Sequence, residues 1–531
     1  MPMSGADIRQ RYDELESLRD VLDDTFQKIE RYVVPYRGEF FREEDSEFEV
    51  DWRRRGIFDS TAPIAADLLA SSIHSNLTSP MIPWFQLRFR SDDLNQMDQA
   101  KEWLEKVQSQ IWQTLRESDF NMEIAETYLD LVSYGTAVLF QEELSDDQWE
   151  GMTFTALPIR DCYFERGAND NVLRVFRRLK YTKLQLQDKF PDGDFSQFTD
   201  DTDTKHTVVF CVYKRDEVTA VNKKMAPNAR PYGYKYVLHR DSSTLEEGGY
   251  YQMPAHVVRW KKVSGSRWGH SPAFVALSDI MQLNATVQMS SEARAKEVDP
   301  PMKTTERGIL GDLDLLPGGL TMVTDMEELD RLLPPHNWLI ADAEIERLQN
   351  SIRSTFYIDK LELKESPAMT ATEVLARLDK QQRQFAPTLG RLEADLLDPT
   401  IEGVYDSLVR RGIIEIPEGL GFENMDIEYT GPIPRSMKNE EAQGTSMWLS
   451  ELANSSQVLP EILDIVDTDK LARGLGFARG VPATYMRDEA TVAAIREQRA
   501  KVQEEARQMQ ALEQAAGAAK DLGATAPETM Q

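Results

Sequence analysis

Cysteine is scarce: Cys162 and Cys211 stand alone among 531 residues. That is too few for a disulfide framework, and two ordinary core thiols in a reducing compartment are the expectation. Long apolar runs are missing too. None approaches the ~18 residues of a membrane span, and Met1–Gln10 lacks the basic-then-apolar order of a signal peptide. Gly is never followed by Lys, which excludes a G-x-x-x-x-G-K-[ST] phosphate loop. No G-x-G-x-x-G follows a predicted strand, and H-E-x-x-H and G-x-S-x-G are absent. The six histidines (His74, His206, His239, His256, His270 and His336) are scattered, with none paired at metal-ligand spacing. The acidic run Asp200-Asp201-Thr-Asp203 lacks the Gly and terminal Glu of an EF-hand and reads as a hydrophilic loop. The sequence therefore predicts a protein that is not an enzyme, with no catalytic residue, metal or cofactor. Positive charge is also in deficit: 61 Lys and Arg face 90 Asp and Glu, a net charge of −29. Tight, patch-driven nucleic-acid binding needs the opposite balance. A surface along which DNA must slide without sticking does not.

What the chain does have is helix, interrupted by a block of strands. Residues 4–33 predict a helix ended by Pro35. The mixed-charge run that follows, Glu39–Asp51 and then Arg53-Arg54-Arg55, reads as a solvated loop or as a contact with a neighbouring subunit. Further helices are predicted from Pro63 to Leu77, Met97 to Arg116 and Phe120 to Tyr134, the last closed by Gly135. Period-two patterns then predict strands at Ala137–Phe140, Met152–Leu157, Val172–Tyr181, Thr207–Tyr213, Tyr234–His239 and His256–Val263, with a short helix at Thr182–Phe190. Tight βαβ repeats are absent, so the fold class is α+β, mainly helical, with a mostly antiparallel sheet packed by the N-terminal helices.

After Trp268-Gly-His-Ser-Pro272 a helix of ~40 Å is predicted to about Glu297, with Ser271 as its cap and Phe274, Leu277, Ile280, Met281, Asn284 and Val287 as its stripe. Arg294 and Lys296 complement its negative dipole end or contact DNA. A Gly- and Pro-rich stretch with short strands around Leu320–Val323 separates it from a returning helix, Asp342–Leu363. The loop Lys360–Pro367 then leads through Met369-Thr-Ala-Thr-Glu-Val374 into a helix of ~60 Å, Thr372–Arg411. Pro387 and Pro399 should each bend that helix, near Arg383–Pro387 and Asp395–Pro399. A helical hairpin of this kind cannot bury both faces alone, which argues for a ring or bundle of copies. A strand at Asp426–Tyr429 and further helix to about Leu522 complete the chain.

This order resembles phage portal proteins, the head-to-tail connectors of short-tailed phages. Four stretches carry the resemblance: Tyr134-Gly-Thr-Ala-Val-Leu139; Val175-Phe-Arg-Arg178 followed by Thr182-Lys-Leu-Gln185; Trp268-Gly-His-Ser-Pro272 with Leu277, Asp279, Leu283 and Asn284; and Met369-Thr-Ala-Thr-Glu-Val374 with Arg377, Leu392-Glu393 and Pro399. Pro432-Ile-Pro-Arg435-Ser-Met437 departs from the family's more regular run. The resemblance implies a portal fold: a wing over residues 1–267, a first stem helix over 268–299, a clip over 300–341 and a second stem helix over 342–360. A tunnel loop follows over 361–371, then a kinked wing helix and strand over 372–438, a helical crown or barrel over 439–522, and a disordered tail over 523–531. It also implies a ring of about twelve subunits at one capsid vertex, assembled in the host cytoplasm. Double-stranded DNA would pass through it, and terminase, tail adaptors, capsid and scaffolding proteins would be its partners. The tunnel-loop candidates are Lys360, Lys364, Glu365, Ser366, Met369 and Thr370. The two lysines would touch phosphates or pair with Glu362, Glu365 or a neighbour's carboxylate. Arg307, Met322 and Trp338 are candidate docking residues in the clip. Two other classes compete: an internal virion core or ejection protein, and a metal-dependent nuclease.

Overall fold

The computed structural model describes residues 3–37, 56–91, 94–198, 204–215, 225–298, 302–303, 330–331, 338–358, 387–417, 425–430, 444–454, 465–478, 487, 491–492, 494–504, 506 and 508–509. The chain divides into two compact units, one from Met1–Gln86 with Val107–Gly421, the other from Leu87–Lys106 with Phe422–Gln531.

In the first unit, helix α1 (Gly5–Tyr32) begins with a capping box. The Asp7 amide donates to Ser4 Oγ at 3.2 Å and the Ser4 amide returns a bond to the Asp7 carboxylate at 3.0 Å. Ile8, Tyr12 and Leu15, spaced by four and three residues, then share one face and bury it against a sheet. That sheet has five antiparallel strands in the order β4 (Cys162–Arg166), β5 (Val172–Thr182), β6 (Lys205–Lys214), β7 (Tyr232–Leu238), β8 (Thr244–Tyr250). Both cysteines are buried and neither is in a disulfide, as expected of ordinary core thiols. Arg19, one turn beyond Leu15, fastens the helix from within. Its guanidinium donates to the Ile159 and Cys162 carbonyls at 3.2 and 3.3 Å and to Tyr163 Oη at 2.7 Å.

A second sheet of three antiparallel strands runs β3 (Met152–Leu157), β2 (Thr136–Glu143), β9 (Ala255–Arg259). Helix α4 (Phe120–Tyr134) lies against it and is buried nearly all round, from Phe120 and Ile124 to Tyr134. Its second half, Thr127–Tyr134, is buried on every side, and α4 packs on α2 (Thr61–Leu77) and on β2 and β3. Its end is the predicted one: Gly135 takes φ 75° and its amide donates to Leu131.

The helical hairpin is formed by α6 (Pro272–Val298) and α7 (Trp338–Thr355), α5 being the short helix Lys183–Lys189 that Thr182 caps. The Gly- and Pro-rich stretch between them contributes one described pairing, β10 (Met302–Lys303) against β11 (Asp330–Arg331). The strands predicted around Leu320–Val323 lie outside the described residues. Helix α8 (Asp398–Arg410) follows a π-helical segment, Glu393–Leu397.

The second unit takes the end of β1 (Phe85–Phe89) from Leu87 on; β1 pairs with β12 (Met425–Tyr429), with Arg90 Nε 2.7 Å from the Asp426 carboxylate. Phe89 stacks on Trp103 of α3 (Asp98–Glu117) at 6.1 Å. Helix α9 (Thr468–Ala478) is tied by Asp469 to Arg496 at 2.6 Å.

Helix and strand are both extensive and the paired registers are antiparallel, as the α+β reading requires. Several boundaries move. Helix α2 starts at Thr61 rather than at Pro63, because the Asp59 carboxylate accepts the Thr61 amide at 2.8 Å. Helix α7 stops at Thr355 rather than Leu363, and Tyr357 turns the chain with φ 62°. The buried stripe of α6 runs Ala273, Ala276, Ile280, Leu283 and Asn284, one step from the bulkier set expected. Small alanines let the helix approach closely, leaving Phe274 and Leu277 at its edge. Strands β1, β4 and β8 were not expected. Each is short or, like Thr-Leu-Glu-Glu-Gly-Gly-Tyr, lacks the period-two apolar signal.

Candidate functional site

Two of the four stretches singled out in the sequence meet in space. Gly135, at the end of α4, lies against Gly269, just before α6. A methyl group on Gly269 would overlap the Gly135 carbonyl oxygen, and one on Gly135 would sit 2.7 Å from the Gly269 oxygen. Only two glycines permit backbone to touch backbone here. The contact is fastened by bonds to main-chain atoms. The Gly269 amide donates to Thr136 Oγ1 at 2.8 Å and the Trp260 amide donates to the Gly135 carbonyl at 2.9 Å. Ser271 Oγ donates to the Ser133 carbonyl at 2.7 Å and accepts the Phe274 amide at 3.3 Å, so it caps α6 as predicted and anchors it as well. Around the joint Phe26 of α1 meets Tyr134, Trp268 and Phe274 edge-on at 5.7–5.9 Å. Burying one such ring is worth about 1.5–3 kcal/mol before its edge contacts are added.

From this root the hairpin is held by polar contacts. Ser351 Oγ donates to the Asp279 carboxylate at 2.7 Å, and Arg294 Nη2 lies 2.6 Å from that of Asp342. Asn284 is buried and its side-chain oxygen accepts the Phe58 amide at 2.9 Å. Asp59 in turn accepts from Gln349 at 2.8 Å.

The long helix after the hairpin is not uniform. Pro399 has no N–H for the Asp395 carbonyl and its ring crowds that oxygen. The ladder widens just before it into the π segment Glu393–Leu397, where the Asp398 amide donates to Glu393. A buried polar relay reaches this segment from the second sheet. His256 Nε2 is 2.9 Å from Gln141 Oε1, Gln141 Nε2 donates to the Thr400 carbonyl at 3.3 Å, and Thr400 Oγ1 donates to the Leu396 carbonyl at 2.7 Å. Burial pushes the His256 imidazole down to about 4, so it is the neutral form that takes part. Burial, and then the charge of Asp398, lifts the Glu393 carboxyl to about 7.

Beside the π segment two buried arginines face too few acceptors. Arg259 of β9 pairs with the Asp170 carboxylate, which also takes Lys262 at 2.8 Å. Arg259 Nε and Nη1, and Arg166 Nε and Nη2, are buried with no hydrogen-bond partner among the described residues. Burial, and then Arg259, push the Arg166 guanidinium down to about 10.

A family profile described as "Bacteriophage head to tail connecting protein" matches residues 6–486. The chain belongs to that family. It is similar to the "Probable portal protein" of Bordetella phage BPP-1, 25% identical over 549 residues that cover 97% of this chain and 95% of the relative. It is similar also to the "Portal protein" of Salmonella phage epsilon15, 25% identical over 527 residues, covering 96% and 94%. A solved chain titled "Virion of native gene transfer agent (GTA) particle" overlaps 81% of this chain and 94% of its own at a TM-score of 0.38 and 12% identity, too loose a likeness to support any reading. The protein is thus a head-to-tail connector, a structural virion component acting at the portal vertex of a capsid. The family implies a ring oligomer with contacts to capsid and tail. Among the described residues no helix is long and apolar enough to cross a membrane, and no group of three or more His, Cys, Asp and Glu is placed to hold a metal ion.

Of the connector's sequence-picked residues, Lys360, Lys364, Glu365, Ser366, Met369 and Thr370 lie outside the described residues, as do Arg307 and Met322. Trp338 is the first residue of α7. Pro387 is exposed and opens the described helical stretch 387–392; Pro399 sits in the first turn of α8. The Gly135–Gly269 contact has no signature in the sequence, since neither glycine reveals its partner. Nor did it mark Arg166 and Arg259, whose setting depends on three separate segments.

Proposed function

We propose that the connector assembles as a closed ring of about twelve copies around a channel for double-stranded DNA in both packaging and ejection. In that ring residues 1–267 form the wing, α6 and α7 the stem and 300–341 the clip, while 361–371 line the channel and 439–522 form a crown inside the head. Terminase docks at the clip while DNA enters, through residues such as Arg307, Met322 and Trp338, and tail adaptors take its place afterwards. Capsid and scaffolding proteins surround the ring, which assembles in the host cytoplasm before it becomes part of the virion.

The observation that carries this reading is the root of the hairpin. Two stretches of a family spanning residues 6–486 form a backbone-to-backbone joint that fixes the direction of α6. A stem transmitting force between capsid and tail needs a base of that kind. The acidic balance, −29 over the chain, suits a conduit that must not retain its cargo. Native mass spectrometry with negative-stain imaging tests the assembly. Rings with a central hole support it, and a monomer that cleaves DNA when given metal overturns it. Within the channel, Lys364→Glu should leave rings intact and reduce retention of packaged DNA; unchanged retention rejects a phosphate contact there.

A further inference from the structure

Away from the hairpin, a cavity of about 260 Å³ opens where the end of β2, the β8–β9 connection and α8 come together. It falls just short of the ~300–1,000 Å³ that drug-sized ligands occupy, so its scale is one side chain rather than a cofactor. Its chemistry is repetitive. Tyr251 carries two guanidiniums, with Arg410 4.1 Å and Arg230 4.7 Å from its ring centre. Each guanidinium also has a carboxylate: Arg410 lies 2.9 Å from Glu143, and Arg230 lies 3.0 Å from Asp146. The wall thus contains two sets of cation and carboxylate that share one tyrosine ring.

A third set is present without its cation. Tyr234 and Tyr250 stand with ring centres 5.1 Å apart, and Tyr250 Oη donates to the Glu142 carboxylate at 2.8 Å. Among the described residues no Lys or Arg forms an ion pair with Glu142. Lys189, the cation that influences it electrostatically, is engaged with Tyr181 Oη at 3.0 Å. Burial raises the Glu142 carboxyl above its ordinary range, and the Tyr250 bond and then the charge of Lys189 offset that only in part.

We propose that this cleft receives the side chain of a lysine or arginine presented by a protein partner, seated between the Glu142 carboxylate and the Tyr234–Tyr250 rings. A cation there gains a charge-assisted bond and a ring face together, the combination the cleft already uses for Arg230 and Arg410. A hydroxyl or amide ligand would leave Glu142 without a counter-charge, and an anion would meet it head-on. The proposal concerns a surface of the wing and stands whether or not the channel assignments hold.

The test titrates Nα-acetyl-L-arginine methylamide and its lysine counterpart into the full-length connector by calorimetry or saturation-transfer NMR. The citrulline analogue serves as a neutral isostere. Binding of the cationic probes should exceed that of citrulline by about tenfold or more, and Glu142→Gln should remove that advantage. Tyr250→Phe keeps the ring and loses one hydrogen bond, so it should weaken binding by only about threefold; it decides the matter if Glu142→Gln does not fold. Equal binding of citrulline, undiminished binding to Glu142→Gln, or no binding to the wild-type protein overturns the proposal.

Discussion

Arg259 and Trp260 are adjacent in the chain, yet they belong to regions built on opposite terms. Trp260 closes the joint beneath α6, where main-chain groups of Gly135, Gly269 and Ser133 all find partners at ordinary distances. Arg259 and its neighbour Arg166 together bury four guanidinium nitrogens with none. The joint is stabilised by close fit and satisfied main-chain bonds, so almost any addition to it should be costly. The arginine pair carries desolvation that its neighbourhood only partly offsets, so removing Arg166 should cost little. The contrast assigns the two regions different tasks: one fixes a direction, the other leaves slack beside a π segment.

The largest expected effect lies in the joint. Gly269→Ala puts a methyl group into the Gly135 carbonyl, where the neighbour is backbone and cannot turn aside. We expect a loss of at least ~3 kcal/mol in chemical denaturation, or failure to fold. Gly265, in the same loop at φ 79°, has open space around it. Gly265→Ala should cost only the ~1 kcal/mol of a left-handed backbone. If the two variants are alike, close fit is not what fixes the root of the hairpin.

Next is the relay that joins the second sheet to the π segment. His256 is depressed to about 4 in the folded protein, against an ordinary value near 6.5. Above pH 6.5 it is neutral in both states and costs nothing. As pH falls from 6.5 toward 4 the unfolded chain takes up the proton and the folded one does not, so stability drops by about 3 kcal/mol. Denaturation midpoints measured across that window should fall for the wild-type protein and fall less for His256→Gln. Glu393 works in the opposite sense. Its carboxyl is raised to about 7, so the folded protein holds the proton more tightly, and that contribution is lost as pH rises from about 4.5 through 7. The group is only partly buried, so solvent screening should keep the effect below ~1 kcal/mol. Glu393→Gln should therefore help at pH 8 and do nothing at pH 5. A variant equally stabilised at both values would mean that its charge is irrelevant to the segment.

The sequence made the joint half legible. Gly135 announced a helix end, and Ser271 with Pro272 announced a helix start, because capping is local chemistry. That the two glycines touch across more than a hundred residues had no local signature. The same division runs through the fold. Helices α1, α4 and α6 were predictable from periodicity and caps, whereas β8 was not, because Thr244–Tyr250 owes its strand to pairing with β7. Pro399 forecast a break in the long helix but not its form as a π segment. The third tyrosine–carboxylate set in the cleft was invisible, since Glu142 looks like any other acid in a chain with 90 of them.

The smallest expected effect falls on the other side of the contrast and tests it most directly. Arg166→Met keeps much of the side chain's length and removes the guanidinium. What is lost is one bond of 2.9 Å from Nη1 to the Asp170 carbonyl, an ion pair of 3.8 Å with the Asp170 carboxylate, the attraction of Asp395 and a ring contact with Phe164 at 5.4 Å. What is gained is release of two buried nitrogens that have no acceptor, and of the repulsion between Arg166 and Arg259. These terms are of similar size, so the variant should lie within about 1 kcal/mol of wild type and could be the more stable of the two. Arg259→Met is the informative partner, because Arg259 holds the ion pair with Asp170. Losing it leaves the Asp170 carboxylate to Lys262 at 2.8 Å and to Arg166 at 3.8 Å. A large loss for Arg166→Met, comparable to that for Gly269→Ala, would show that the pair is as fully engaged as the joint, and the contrast between the two regions would fall.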